Sequence, residues 1–247
     1  MSIRSMRAAM AFLTVIPVAS DKTGAGGASA ERLGRAYFPA VGALLGLLAG
    51  LGFALVAAVT SPLLAAVAAI GVMAVLTGAL HLDGLADAAD GLFGGGDVAR
   101  RLEVMRDSRV GSFGLVAVVL VLVGDIAALA SMSPPRAIVA LVVAGAISRW
   151  ALLLVIATVP YVRQSGLGIA AGGQHGRFDL VLGSAIAVIV CLLDWKRAAA
   201  AVLVALLIAL VVAVIARRRI GGATGDVYGA TAELSQLGVL VVFAAHL

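Results

Sequence analysis

The sequence predicts an all-α polytopic membrane protein, about seven transmembrane helices with an acidic site facing the cytoplasm, and three observations carry that prediction. Hydrophobic residues make up 62% of the 247-residue chain and charged residues only 13%, with a mean hydropathy of +1.13. A soluble globular domain does not have that balance. Several stretches approach the ~20 apolar residues that a crossing needs. Basic residues gather on alternate polar segments, as the positive-inside rule requires. A single integral membrane domain over 1–247 accounts for all three.

The N-terminal segment, 1–37, contains MRAAMAFLTVIPV. That run is too short to cross and is closed by Pro17, so it is expected to lie along the interface or dip in part way. No charged n-region, apolar core and cleavage site occur there in order, so no cleaved signal peptide is expected. Spans follow at roughly 38–60, 62–80, 110–132, 137–159, 179–194, 198–216 and 227–247. The polar connections that matter are an acidic and basic segment, 81–109, and a Gly-rich turn, 217–226. The chain has 30 glycines, about 12% against a usual ~7%, so close helix packing through small residues is expected. Cys191 stands alone in an apolar run, which removes any intrachain disulfide and any multi-cysteine metal site.

Seven crossings put Arg4, Arg7, Lys22, Arg32, Arg35, Arg100, Arg101, Arg106, Arg109, Arg163, Arg177, Arg217, Arg218 and Arg219 on one side of the membrane. The other side receives Arg136, Lys196 and Arg197, and Arg149 falls within a span. The richer side is then cytoplasmic, with the N-terminus inside and the C-terminus outside. The net charge of +5 records this orientation, and no nucleic-acid partner is expected. Eleven of the thirteen acids lie in or beside the cytoplasmic segments, Asp125 and Asp194 being the exceptions. An acid-rich and base-rich face implies a charged cytoplasmic ligand.

The densest acids stand in HLDGLADAADGLFGGG, where Asp83, Asp87 and Asp90 follow i, i+4, i+7 spacing. On a helix they point within about 60° of one another. Like charges at that spacing destabilise a bare helix, so a cation is expected to offset them. Oxygen donors without histidine or thiolate favour Mg2+ or Mn2+, whose shell is commonly completed by water and substrate phosphate. The alternative is a solvated acidic patch. In RRLEVMRDSRVGSFG, Glu103 and Asp107 interleave with Arg100, Arg101, Arg106 and Arg109, a mixture suited to a phosphate beside a metal or to a surface helix of internal ion pairs. In GGATGDVYGATAEL a glycine-rich turn containing Gly225 opens the last span, with Asp226 and Glu233 on one face; such turns present free N–H groups to anions. Arg149, in the middle of an apolar span, needs a partner, either a phosphate or a structural ion pair with Asp125 or Glu233. His81 adjoins the acids but faces away from Asp83, and neither His175 nor His246 supports a metal site.

The strings FLTVIPV, YFPAVGALLG, HLDGLADAADGLFGG, MRDSRVGSFG, the Ser148–Arg149 pair, YVRQSGLG and GGATGDVYGATAEL run in this order across nearly the whole chain. Together they resemble the cobalamin synthase family, the adenosylcobinamide-GDP ribazoletransferases. Two positions depart from that pattern: Val15 stands where a basic residue is expected and Ser165 where an acid is. The resemblance implies a bacterial inner-membrane enzyme that joins adenosylcobinamide-GDP to α-ribazole or its 5′-phosphate. GMP is released, Mg2+ is required, and the lower nucleotide loop of the corrinoid is completed. Through that chemistry, Asp83, Asp87 and Asp90 are expected to hold Mg2+. Asp107 or Asp226 would complete the metal shell or take the proton of the attacking ribose hydroxyl. Arg106, Arg109, Arg149 and Gly225 would bind the substrate. Partners are the corrinoid-nucleotide and α-ribazole substrates and the lipid bilayer, with a homo-oligomer or other corrinoid-processing enzymes also open.

Two other readings compete. A CDP-alcohol phosphotransferase-like enzyme also sets aspartates around a metal, but its pattern asks for Ala-Arg two residues after Asp-Gly. Here Asp83 and Gly84 are followed by Leu85, Ala86 and Asp87. A cation-coupled transporter would carry ionisable groups near the midplane and an inverted repeat; only Arg149 is so placed, and no repeat is visible.

Overall fold

A computed structural model describes residues 3–18, 34–163 and 177–245. All its regular elements are helical: α1 (Ile3–Leu13), α2 (Phe38–Ala57), α3 (Pro62–Thr77), α4 (Leu80–Phe93), α5 (Val98–Val104), α6 (Ser112–Ala130), α7 (Pro134–Thr158), α8 (Arg177–Cys191), α9 (Trp195–Ile220) and α10 (Gly225–Ala244). His175, His246, Ser165, Asp21 and Glu31 lie outside the described residues.

The bundle is organised on α7 and α2, which form its most extensive pairing. They run antiparallel, backbone against backbone. A Cβ added to Gly42 would meet the Gly145 carbonyl, one on Gly145 would meet the Gly42 carbonyl, and one on Gly46 would meet the Leu141 carbonyl. With no hydrophobic force between helices in lipid, such close approach supplies the van der Waals contact that holds them. Outer helices show lipid their large side chains: Leu115, Val119 and Leu120 of α6 and Leu203, Leu207 and Leu210 of α9 are exposed.

Five stretches are long and apolar enough to cross a membrane, or six if α3 and α4 count as one broken span. The expected seven is not established by that measure. One of the five, Phe178–Ile220, is a helical stretch of 43 residues. It breaks at Asp194, where φ is −152° and ψ 77°. Near its start Arg35 pairs with Asp179 at 3.2 Å, and near its end Arg217 donates to the Thr158 carbonyl. Arg35 precedes α2 and Thr158 ends α7, so the antiparallel pairing puts both at the same end of the bundle. The stretch therefore runs out and returns.

The second expected span ends early. Gly78 and Ala79 take left-handed conformations, φ 60° and 55°, and turn the chain through 89° into α4. A left-handed alanine costs about 1 kcal/mol or more, and it is held because α4 is anchored at both ends. Its far end is fixed by buried Arg101, which donates to the carbonyls of Gly91, Leu92 and Gly96 at 3.1, 2.5 and 3.0 Å. Those of Gly91 and Leu92 are orphan carbonyls at the end of α4, and Gly96 lies in the turn that follows, so one guanidinium ties the helix end to its turn. Within the N-terminal segment, α1 buries Ala9 and Leu13 and stacks Phe12 on Phe38, ring centroids 5.5 Å apart.

Candidate functional site

Two glycines bring the acids together. A Cβ on Gly84 would stand 3.2 Å from the Asp226 Cα, and one on Gly229 would stand 3.0 Å from the His81 carbonyl. Here α4 crosses α10 with almost nothing between the backbones, and Asp83, on the residue before Gly84, reaches the first turn of α10. Asp226 lies in that turn, behind the cap formed by Thr224, whose hydroxyl accepts from the Val227 N–H at 3.4 Å. The same hydroxyl donates to Asp226 Oδ2 at 3.2 Å.

A third segment arrives through a short parallel bridge between Tyr161 and Ala223. The Val162 N–H donates to the Ala223 carbonyl at 3.0 Å and the Ala223 N–H to the Pro160 carbonyl at 2.8 Å. The bridge sets Arg163 beside α10, where its guanidinium pairs with Asp226 Oδ2 at 2.7 Å and donates to the Met105 carbonyl at 3.1 Å. Both partners of the pair are largely buried, at 11% and 16% exposure. Asp87, half-buried on α4, has Asp226, Asp83 and Asp90 as its charged neighbours of like sign and Arg163 as the one of opposite sign.

Asp83, Asp226 and Arg163 line a cleft of about 240 Å³, with Gly225 beside them. Phe12, Leu80, Leu152 and Ile156 add apolar surface to the same lining, which also includes His81, Tyr161 and Tyr228. The two tyrosine rings are tilted against each other with centroids 6.1 Å apart. Burial pushes the Tyr161 hydroxyl above the usual phenol range, partly offset by Arg163.

The remaining residues singled out from sequence fall elsewhere. Asp90 is turned onto the start of α6, accepting from the Gly111 N–H at 2.7 Å and the Gly114 N–H at 2.9 Å. Both oxygens of this expected third metal ligand are thus engaged at the start of α6. Glycine is needed at 111, since a Cβ there would lie 2.5 Å from the Asp90 carboxylate. Asp107, Arg106 and Arg109 do not line the cleft. They line a more open hollow of about 290 Å³ with Arg100 and Glu103. There Asp107 is gripped by Arg109 at 2.7 Å, and that hydrogen bonding holds its carboxyl down to about 2.

Arg149 is buried at 1% exposure and lines a separate small cavity with Asp125, Glu233 and Gln236. It donates to the Ser148 hydroxyl at 2.9 Å and to Gln236 Oε1 at 3.3 Å, and Gln236 in turn donates to Asp125 Oδ2 at 3.0 Å. Its other terminal nitrogen lies 3.5 Å from His81 Nδ1, and the Glu233 carboxyl is a charged neighbour. No ion pair to Asp125 or Glu233 forms among the described residues.

Three participants carried no clear signal in the sequence: Arg163, Thr224 and Tyr161. The string YVRQSGLG flagged the region of Arg163, but the bridge that turns it toward Asp226 joins segments distant in sequence.

The donor set bears on a metal. Among the described residues no three His, Cys, Asp or Glu side chains converge as ligands. Asp83 and Asp87 remain, two hard carboxylates one turn apart on one face, with like charge from Asp226 close by. Mg2+ is commonly bound through one or two carboxylates, with water and substrate phosphate completing its shell. The residues fit that kind of site and no all-protein cage.

Comparison with known proteins follows the same lines. The family model described as cobalamin-5-phosphate synthase matches residues 5–244. A protein of Stutzerimonas stutzeri named adenosylcobinamide-GDP ribazoletransferase is 41% identical over 239 residues, covering 96% of each chain. One of the same name from Ectopseudomonas mendocina is 40% identical over 250 residues and 98% of each chain. Another from Bradyrhizobium diazoefficiens is 37% identical over 253 residues, 98% of this chain and 94% of its own. No solved structure matches.

Proposed function

The chain belongs to the cobalamin-5-phosphate synthase family, and from that premise we propose that its cleft joins adenosylcobinamide-GDP to α-ribazole or its 5′-phosphate with release of GMP. The observation that carries this reading is the cleft's mixed lining. Asp83, Asp226 and Arg163 supply charge, and Phe12, Leu80, Leu152 and Ile156 supply apolar surface. A diphosphate suits the charged groups and an aromatic base or corrinoid edge the apolar ones.

A ribose hydroxyl oxygen of α-ribazole attacks the phosphorus that stays with the corrinoid. A new P–O bond forms there, and the bond from that phosphorus to the bridging oxygen breaks. GMP leaves with the electron pair. Mg2+, when bound, neutralises the diphosphate and the departing charge, and Asp83 and Asp87 are the residues that would hold it. The hydroxyl proton passes to Asp226. Asp107, the other candidate, is a poor base because its carboxyl is held near 2, far below the working pH at which a base is most effective. Arg106 and Arg109, on the neighbouring hollow, suit the outer part of a long nucleotide substrate.

Membranes holding the protein, given adenosylcobinamide-GDP, α-ribazole 5′-phosphate and Mg2+, should release GMP and form the joined corrinoid in equal amounts, read by liquid chromatography and mass spectrometry. Intact substrates after prolonged incubation would refute the assignment. No observation favours the phosphotransferase-like or transport alternatives.

The protein is multi-pass, and we place it in the bacterial inner membrane with the cleft and N-terminus cytoplasmic. Helix α10 starts at the cleft and runs for 20 residues, about 30 Å, so its end lies at the opposite face whatever the number of crossings. A reporter fused after Leu247 is expected to give a periplasmic signal, and a cytoplasmic one would reverse the orientation.

A further inference from the structure

The environment of Asp226 is asymmetric, and the asymmetry is built by residues far apart in the chain. Both side-chain contacts of its carboxylate fall on one oxygen: Arg163 at 2.7 Å and the Thr224 hydroxyl at 3.2 Å both reach Oδ2. No described residue donates to Oδ1. Arg163 is itself fixed, tied to the Met105 carbonyl and carried on a segment locked by the Tyr161–Ala223 bridge. Thr224 is fully buried and fixed by its role as the cap of α10. Together they hold a side chain that lines the cleft.

We propose that Arg163 and Thr224 are positioning residues for Asp226, gripping Oδ2 so that Oδ1 faces the cleft and receives the proton of the attacking hydroxyl. The inference rests on the reading of Asp226 as the base. A base is effective when a further group fixes its orientation, and a carboxylate free to rotate about its last bond presents the proton-accepting oxygen for only part of the time. The arrangement divides labour within one carboxylate. Oδ2 is anchored by a cation and a hydroxyl, and the proton goes from the ribose oxygen to Oδ1 as the P–O bond forms. Because the grip acts through Asp226, its loss should reduce turnover more than substrate binding.

The test is a set of variants in membranes or nanodiscs, read by steady-state kinetics with adenosylcobinamide-GDP. Thr224→Val is expected to lower kcat about tenfold, a fraction of the roughly hundredfold or more that a general base supplies, with KM changed less than about twofold. Thr224→Ser should recover most of the loss. Arg163→Lys should lower kcat similarly, and Arg163→Gln further. In an Asp226→Asn background, Thr224→Val should have no additional effect, because residues acting through one group are non-additive. Full kcat in both Thr224→Val and Arg163→Lys, with Asp226→Asn strongly impaired, would overturn the positioning role. So would a loss that persists undiminished on top of Asp226→Asn, since that would be structural. Activity retained in Asp226→Asn alone would instead remove the base assignment. Should Arg163→Gln fail to insert, the Thr224 pair and Arg163→Lys carry the decision.

Discussion

Asp83→Asn is expected to reduce GMP release by about a thousandfold, some 4 kcal/mol of transition-state stabilisation, while membrane insertion and thermal stability stay unchanged or improve. The two halves of this result have separate causes. Asp83 is exposed, lines the cleft, makes no ion pair among the described residues, and faces the like charges of Asp87 and Asp226. Replacing it with a neutral isostere relieves repulsion and leaves no buried group unpaired. The loss therefore falls on turnover alone, where the carboxylate is needed to hold a divalent ion against the diphosphate. The variant should also lose the dependence on Mg2+ concentration expected of the unsubstituted protein. Asp90→Asn should behave in the opposite way: the N–H groups of Gly111 and Gly114 lose a charged acceptor, so stability falls while Mg2+ dependence persists. Measuring GMP release against Mg2+ together with a melting curve separates the two. Normal turnover in Asp83→Asn would remove the metal from Asp83.

Gly145→Leu is expected to prevent recovery of a folded, monodisperse protein. The substitution places a side chain where α2 already touches α7. The Gly42 carbonyl stands against the position of the new Cβ, and the obstacle is backbone, which cannot change rotamer. Only separation of the two helices relieves the overlap, and their pairing is the centre of the bundle. Overpacking in a well-filled core costs roughly 1–3 kcal/mol; here the cost should exceed that because the main contact surface parts. Gly71→Ala is the control, since a Cβ there meets nothing within 4 Å, and exchanging a helical glycine for alanine is worth roughly 0.5–1 kcal/mol in its favour. Size-exclusion profiles in mild detergent should separate the two variants clearly. A monodisperse Gly145→Leu protein of normal activity would show that the α2–α7 contact is dispensable.

Much of the architecture was legible because lipid imposes simple rules. Stretches such as 112–130 and 134–158 are helical at nearly the bounds their hydropathy marks, since a backbone in hydrocarbon must satisfy its own hydrogen bonds. The turn between α8 and α9 was marked by Asp194, Lys196 and Arg197, polar residues that an apolar leg does not carry. The boundary near residue 78 was misplaced for a physical reason. Apolar composition continues into α4, and only two left-handed residues, one of them an alanine, turn the chain there.

The acid cluster shows the same division. The spacing of Asp83, Asp87 and Asp90 gives their common helix face but not what meets each carboxylate. Asp90 looks equivalent to its neighbours until α6 arrives to present two N–H groups. Arg149 appears as an isolated charge in a span, and only the packing of α10 beside α7 shows that Gln236 and Ser148 receive it. Arg106 and Arg109 are close to the acids in sequence yet open on a different hollow.

What the sequence determined by itself is whatever depends on composition and local periodicity: a helical membrane protein, the stretches that run apolar, and the segments able to carry oxygen ligands. Those properties follow from transfer of each residue between water and lipid, a quantity that needs no partner. What the tertiary structure decided is which carboxylates share a space and which cation faces them. Asp83, Asp226 and Arg163 meet because Gly84 and Gly229 let two helices touch and because Tyr161 bridges to Ala223. Those contacts are long-range, and the energy of a charge is set by the groups that end up around it.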